Sequence, residues 1–482
     1  MPKTSDSAAE KSSTPSTKPK KSTANSAPAD TKSATEKSAR EAKQAASQEK
    51  PRVPVIPLQS PADNGKPNDG RSTRTSNTGN ADNRSGGSRQ RPIGSGGDRD
   101  KDRQDRQAKT IVGVLDNSRD GHGVLRVNLS VEDEGDAYIS TSQMRRFKLR
   151  PGDVVEGPVR EPKDNERYWG LLKVDKVNGF PIEEFLTQNR VKFQKLTPVY
   201  PDEQINLEIG DEPMSLRIID MIAPIGKGQR SLVVSPPKAG KTTLLKDIAT
   251  GIATNHPDAH VMAVLVGERP EEVTDIRRHI HRLTDSRGEV AASNFDESAE
   301  DQCRVAELAL EKAKRMVEMG RDVVILLDSI TRLARAYNLA IPTSGRTLSG
   351  GFDPAALFPP KKFFGAARNF EVPGSLTIIG TALVETGSRM DDLIYEEFKG
   401  TGNQEVHLDR RLAERRVYPA IDVQKSGTRR DDLLIEGMTY QSVLTLHRML
   451  DMLDRDERTR TLVDQLKKTK SNKDFLASLK EG

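Results

Sequence analysis

This 482-residue sequence predicts an α/β domain, a parallel sheet with a phosphate-binding loop, behind a small all-β barrel and a disordered amino-terminal arm. Three observations predict it. Leu232-Val233-Val234 runs into Ser235-Pro236-Pro237-Lys238-Ala239-Gly240-Lys241-Thr242, followed by Leu244, Leu245, Ile248 and Ile252 at helical spacing. Strands and helices alternate over the rest of the chain, as a parallel sheet requires. Short strands punctuated by Gly, Asp and Pro fill residues 110–174, the pattern of a small closed barrel.

The loop comes first because its chemistry is the most specific. A helix amino terminus offers unpaired N–H groups and partial positive charge to a phosphate. Gly240 permits close backbone approach, Lys241 can reach the β- and γ-phosphates, and the Thr242 hydroxyl can hold Mg²⁺. Ser235 stands where the usual pattern has its first Gly.

Composition sets bounds. The formal net charge is +5, mildly basic and weak on its own as a sign of a polyanionic partner. The single cysteine, Cys303, rules out an internal disulfide and a multi-cysteine metal site, and fits a reducing cytoplasm. It falls on a helix-patterned stretch and reads as a structural thiol. The sequence has no run of 18 apolar residues, so a helical membrane span is not expected.

Residues 1–107 contain no Phe, Trp or Tyr and are rich in Ser, Lys, Ala, Pro, Asn and Gly. Such a segment cannot bury enough apolar surface to offset its chain entropy. Its second half interleaves Arg71, Arg74, Arg84, Arg89, Arg91, Arg99, Arg103 and Arg106 with Gly, Ser and Asn, which suits loose phosphate contact or a merely solubilising tail.

Residues 108–178 carry the barrel strands, around Ile111–Leu115, Gly121–Arg126, Ala137–Ser140, Asp153–Gly157 and Tyr168–Val174. One face of such a barrel can stack bases on aromatics and neutralise phosphates. The candidates are His122, Arg126, Tyr138, Arg145, Arg146, Arg167, Tyr168 and Trp169; the alternative is that these aromatics belong to the core. Residues 179–212 read as a linker, and 213–482 as the sheet-bearing domain. Ile225-Gly226-Lys227-Gly228-Gln229-Arg230 is a basic, Gly-spaced turn that can bring N–H groups to a nucleotide or simply turn the chain.

Within the last domain, Val261–Val266 ends at Gly267-Glu268-Arg269, and Asp322–Leu327 ends at Asp328. Ligands of parallel sheets sit at carboxyl ends of strands. Asp328 there suits a metal, and Glu268 suits polarising a water that attacks the γ-phosphate. Their simpler readings are a helix cap and an ion pair with Arg269. A cation on the transferring phosphate is worth about 10³–10⁵ in rate elsewhere. Arg410, Arg411, Arg415, Arg416, Arg429 and Arg430 are all available, and spacing does not select among them. Two polar, Gly-rich loops, Thr343–Gly351 and Thr386–Met390, can line a channel for a phosphodiester chain or be plain connections.

Taken together, these segments resemble the Rho family of bacterial transcription termination factors over roughly Val112–Leu476. The resemblance rests on Pro-Pro-Lys-Ala-Gly-Lys-Thr, Glu-Arg-Pro-Glu-Glu-Val, Leu-Leu-Asp-Ser-Ile-Thr-Arg-Leu-Ala-Arg-Ala-Tyr-Asn, Phe-Phe-Gly-Ala-Ala-Arg-Asn, Tyr-Glu-Glu-Phe-Lys-Gly-Thr-Gly-Asn and Ser-Gly-Thr-Arg. It implies a RecA-like motor and an OB-fold, cold-shock-like barrel, in a homohexameric, RNA-dependent ATPase and helicase that frees transcripts from RNA polymerase. ATP and Mg²⁺ are the implied cofactors. The competing readings are an RNA-binding assembly factor in which ATP is only a conformational switch, and a rotary or recombinase relative.

The resemblance also implies roles. Gly226, Lys227, Gly228, Gln229, Arg230, Ser231, Lys238, Ala239, Gly240, Lys241, Thr242, Thr243 and Arg269 surround ATP, with Tyr418 on the adenine. Thr242 and Asp328 serve the metal, Glu268 activates water, and Arg429, assisted by Arg416, acts in trans. The primary RNA site comprises Gly121, His122, Gly123, Val124, Leu125, Arg126, Asp136, Ala137, Tyr138, Glu166, Arg167 and Tyr168. The pore site comprises Arg346, Thr347, Leu348, Ser349, Gly350, Gly351, Thr386 and Arg389. The family usually has Phe at the positions of His122 and Val124, and Asp at that of Gly267.

Overall fold

A computed structural model describes residues 109–117, 121–130, 133–285 and 287–479. The arm at 1–107 lies outside these residues. Strands β1 (Lys109–Asn117), β2 (Gly123–Arg126), β3 (Ala137–Ile139), β4 (Val154–Arg160) and β5 (Trp169–Leu171) form the barrel. Their order is β1-β2-β3-β5-β4, and β1 pairs antiparallel with β4 to close the ring. Alternation decides the faces. Leu115, Leu125, Ala137, Ile139, Val155 and Val159 meet inside. A short helix, α1 (Thr141–Arg146), follows β3 and is held by a capping box between Ser140 and Gln143.

The stretch read as a linker is more structured than its composition suggests. It holds β7 (Phe180–Pro181), which pairs with β6 (Lys176–Val177) at the end of the barrel segment, then α2 (Ile182–Thr187) and β8 (Pro198–Val199). Ile182 and Phe185 pack into the barrel core, which is why six residues suffice for a helix there. A further helix, α3 (Met214–Ile222), precedes the sheet and buries eight of its nine residues. One of them is Arg217, whose guanidinium donates to the Leu466 and Thr469 carbonyls and to Asn472 Oδ1.

The sheet-forming strands are β9 (Arg230–Ser235), β10 (His260–Glu268), β11 (Glu289–Asn294), β12 (Asp322–Asp328), β13 (Arg368–Phe370), β14 (Ser375–Leu383), β15 (Gln404–His407) and β16 (Gly427–Thr428). The order is β11-β10-β12-β14-β9-β15-β16, with β13 and β8 attached beside β14. From β11 through β15 all neighbours are parallel. The central strands are apolar runs buried on both faces, as a helix-covered parallel sheet demands.

The helices are α4 (Lys241–Asn255), α5 (Pro270–Leu283), α6 (Ala299–Glu318), α7 (Ile330–Ala340), α8 (Phe358–Phe364), α9 (Arg389–Lys399), α10 (Arg410–Glu414), α11 (Gly437–Asp451), α12 (Arg455–Leu466) and α13 (Asn472–Ser478). Helices α4 and α5 cover one face, in the core that includes Ile248, Val273 and Ile280. Helices α6 and α7 cover the other, with Val305, Leu308 and Leu333. Cys303 is buried on α6, and burial with the nearby Glu307 and Glu300 pushes its thiol up to about 12, so it is a packing residue. Among the described residues no helix is long and apolar enough to cross a membrane.

The barrel joins the sheet-bearing domain through apolar contacts of Val114 and Leu129 with its core and through polar ones. Arg150 donates to Glu318 Oε2 at 2.9 Å, and the Phe193 N–H donates to Glu318 Oε1 at 2.7 Å. Ser130, between β2 and β3, docks on the outermost strand: its hydroxyl accepts from Ala292 N at 3.0 Å and donates to the Val290 carbonyl. An open strand edge is thereby covered.

Candidate active site and nucleic-acid interface

Three parallel strand ends converge. Ser235 ends β9, Glu268 ends β10 and Asp328 ends β12. Gly240 caps α4 at φ 99°, a left-handed conformation that a Cβ would strain, and no side chain caps the helix. The first N–H groups of α4 are therefore left for a ligand.

Lys241 draws the site together. Its ammonium lies 2.6 Å from Asp328 Oδ1 and 3.0 Å from Glu268 Oε1. Burial works against the lysine's charge, but the two carboxylates outweigh it and hold the ammonium above its ordinary range. Asp328 Oδ1 also accepts from Thr381 Oγ1 at 2.8 Å, while Asp328 Oδ2 is buried with no partner among the described residues. Such an orphaned carboxylate oxygen fits a hard, oxygen-seeking cation such as Mg²⁺. Thr242 follows Lys241 in the first turn of α4.

Glu268 owes its orientation to a bulge. Val266 pairs with Ser293 and Glu268 with Asn294, so Gly267 is the extra residue, at φ 63°. A bulge beside a site re-aims the side chain that follows. Arg332 on α7 then holds the result: it donates to the Gly267 carbonyl and, at 3.3 Å, to Glu268 Oε2. Thr381 and Arg332 are the residues that sequence reasoning missed. Arg332 sits one helical turn past Asp328, a spacing that returns it to the strand ends, and that spacing was the available signal.

Several expected ATP-site residues are not at this pocket within the chain. Gly226–Gln229 lie at the amino end of β9, and Arg230 and Ser231 begin the strand. Six residues at about 3.3 Å each put this end roughly 17 Å from the loop. The turn is packed instead against Asn369, Pro201 and Leu434, and Lys227 pairs with Glu203 and Asp322. Within its own chain it turns the backbone into the sheet, which is the alternative that the sequence left open. Arg429 shares this end: β16 runs antiparallel to β15, and the Arg429 N–H donates to the Asn403 carbonyl. Arg429 cannot meet its own chain's loop from there.

Lys238 and Thr243 are exposed around the loop, and Ala239 is buried. Arg269 is exposed and caps α5, with only a distant contact to Glu272. Tyr418 and Arg416 follow α10, beyond the carboxyl end of β15, where the Leu408 N–H meets the Val234 carbonyl beside the loop. The Tyr418 ring is 54 % exposed.

On the barrel, faces divide the candidates. His122, half-buried, and Tyr138, exposed, form a ring pair with centroids 5.4 Å apart; Val124, which pairs with Tyr138 across β2 and β3, is itself buried. Leu125 and Ala137 point the other way, into the core, and cannot touch a ligand. The Gly123 backbone is buried, and Gly121 is exposed in the turn before it. Arg126 is buried against Asp136 at 2.8 Å; burial raises the Asp136 carboxyl even so. This pair holds the face rather than presenting charge. Glu166 accepts both Arg160 nitrogens and is held at about 2 by them. Arg167 lies over the Tyr168 ring, centroid 5.3 Å away. Trp169 packs on the core and gives its indole N–H to the Glu134 carbonyl, so it is structural. Arg145 and Arg146 are exposed on α1.

The two Gly-rich loops meet. Gly350 packs on the backbone of Arg389 and Met390. Asp353 gathers Thr343 and Ser344 and so ties the root of the first loop. Thr386 donates to Asp391, which also takes two bonds from Arg335 of α7. Arg346, Thr347, Leu348, Ser349 and Gly351 are exposed.

Comparison with known proteins follows the same division. Residues 111–183 match the family model of the Rho termination factor RNA-binding domain. Residues 215–428 match that of the ATP synthase alpha/beta family nucleotide-binding domain. Transcription termination factor Rho of Bacillus subtilis (strain 168) is 56 % identical over 363 residues, covering 75 % of this chain and 82 % of that protein. The protein of the same name from Aquifex aeolicus (strain VF5) is 50 % identical, covering 77 % and 84 %. Among solved structures, an ATPase from the type III secretion system of pathogenic bacteria superposes with a TM-score of 0.51 at 22 % identity. It covers 67 % of this chain and 93 % of that one, a likeness of fold.

Proposed function

The chain belongs to the transcription termination factor Rho family, and from that premise we propose that it is an RNA-dependent ATP-hydrolysing motor that ends transcription by translocating on nascent RNA. The observation that carries this reading is Lys241 within 3.0 Å of both Asp328 and Glu268, in a chain whose barrel presents the exposed Tyr138 ring beside His122.

The geometry supports the following roles. The α4 amino terminus and Lys241 bind the β- and γ-phosphates, with Lys238 at the loop's exposed rim. Thr242 and Asp328 hold Mg²⁺, which when bound neutralises charge on the phosphates. Glu268, fixed by the Gly267 bulge and Arg332, orients and deprotonates the attacking water. Tyr418 offers its exposed ring to the adenine. Arg429, on the far end of its own sheet, serves a neighbouring copy, in keeping with the homohexameric ring that the family resemblance implies. RNA is first held on His122, Tyr138, Arg167 and Tyr168, then gripped by the Arg346–Gly351 and Thr386–Arg389 loops. Asp391 and Arg335 link the second loop to α7, and α7 springs from Asp328; motion at the ATP site thus has a rigid route to the RNA.

The test is transcript release from a stalled RNA polymerase complex. Release with ATP, and none with a non-hydrolysable analogue or with Glu268→Gln, is expected. Release that is independent of hydrolysis would favour ATP as a conformational switch alone.

A further inference from the structure

Helix α5 buries Val273, Ile276 and Ile280 and turns its other face outward. From 277 to 287 the chain holds four arginines and one aspartate. Arg278, Arg282 and Arg287 are exposed, and Arg277 and His281 are half-buried. Among the described residues none of the four arginines has a carboxylate at ion-pair distance. The nearby carboxylate, Asp275, is engaged by Lys246, though it remains within electrostatic reach of Arg278.

Two charges in the last turn, His281 and Arg282, would satisfy the helix dipole. The rest exceeds that need. Arg278 and Arg282 are like-charged neighbours one turn apart, costing a few tenths of a kcal/mol, and Arg277 faces His281 at the same spacing. Burial and the Arg277 charge together lower the His281 pKa, a sign of how crowded the positive charge is. A stable chain keeps such crowding where a polyanion offsets it.

The location says which polyanion. Helix α5 packs on β11, the outermost strand of the sheet. Ser130 docks on that strand through Val290 and Ala292. Ser130 lies in the connection between β2 and β3, and the ring pair brackets that hairpin: His122 immediately precedes β2 and Tyr138 lies on β3. The arginines and the RNA face therefore flank one strand. Among the described residues of 277–287 no aromatic or aliphatic side chain is exposed as the anchors of protein interfaces are; Ile280 is buried, and what faces out is charge.

We propose that Arg277, Arg278, Arg282 and Arg287 form a further binding site for the phosphodiester backbone of single-stranded RNA, extending the track beyond the barrel. The guanidinium groups bind phosphate oxygens without reading bases. The inference rests on the RNA-binding reading of the barrel.

The test uses the full chain and a long unstructured homopolymer RNA, with affinity measured across salt concentrations. In R278Q/R282Q the two exposed charges go while helix propensity is kept. The slope of log K against log salt should flatten by about 1.4, at about 0.7 for each phosphate that is no longer neutralised. R278K/R282K should restore the slope, which a structural role for the arginines would not predict. An oligonucleotide too short to leave the barrel should bind R278Q/R282Q and the unsubstituted chain alike. Tight binding by the unsubstituted chain with an unchanged slope in R278Q/R282Q overturns this site and leaves the barrel reading standing. No RNA binding by the unsubstituted chain overturns both.

Discussion

Lys241 Nζ lies 2.6 Å from Asp328 Oδ1, which ties the lysine of the phosphate loop to the carboxylate two strands away in the sheet. Lysine and carboxylate charges thus balance each other across the pocket that a triphosphate and its metal share. Lys241→Met leaves Asp328 and Glu268, both buried, without their shared cation. Nucleotide affinity should fall and turnover should drop by at least about 10²-fold. Equilibrium binding of a fluorescent ATP analogue and steady-state phosphate release check the two separately.

Glu268→Gln keeps the shape and the bond from Lys241 but cannot take a proton. ATP should bind with near-normal affinity while turnover falls by about 10²–10⁴-fold. Normal turnover would remove the role assigned to Glu268.

Arg429 sits at the opposite end of β9 from Ser235, so its effect should cross subunits. Arg429→Ala should lower turnover by about 10³-fold or more. Mixing it with Lys241→Met chains should restore part of the activity, because each variant supplies what its neighbour lacks. Inactivity at every mixing ratio argues against action in trans.

Tyr138 is 41 % exposed beside His122. Tyr138→Ala should weaken RNA binding by about 1–3 kcal/mol, the worth of one stacked base. RNA filter binding reads this directly, and unchanged affinity would move the RNA contact off this face.

Away from the site, Lys312 Nζ lies 2.5 Å from Glu289 Oε1, and both groups are buried. Burial alone would raise the Glu289 carboxyl, yet Lys312 and His260 hold it at about 2. A folded pKa below the unfolded value gives stability that is present above about 4.5 and lost as pH falls towards 2. Glu289→Gln strands the lysine and should cost about 3–5 kcal/mol, whereas E289L/K312M should recover most of that and flatten the acid limb. Urea titrations from neutral pH to pH 3 distinguish these outcomes.

Much of this was legible in the chain because it is written locally. A strand that runs into Gly-Lys-Thr, and strands that end in Glu268 and Asp328, carry their own geometry: parallel strands deliver their carboxyl ends to one rim. The barrel's existence was legible from alternation, and the same alternation, applied to Ala137-Tyr138, separates core from surface, whereas on β2 both Val124 and Leu125 are buried. What escaped depends on distant partners. Gly226–Arg230 is near the loop in sequence, but a strand's length separates them in space. Arg332 and Thr381 reach the carboxylates only once the sheet is assembled. Helix α3 and the short α2 are too brief to show a period and exist because the core holds them.

The central claim, that RNA on the barrel and loops governs hydrolysis at Lys241, Glu268 and Asp328, is tested most directly by one rate. Phosphate release from ATP is measured with and without an unstructured single-stranded RNA. The account predicts strong stimulation by RNA that disappears in Glu268→Gln. An equal rate in both conditions would contradict it.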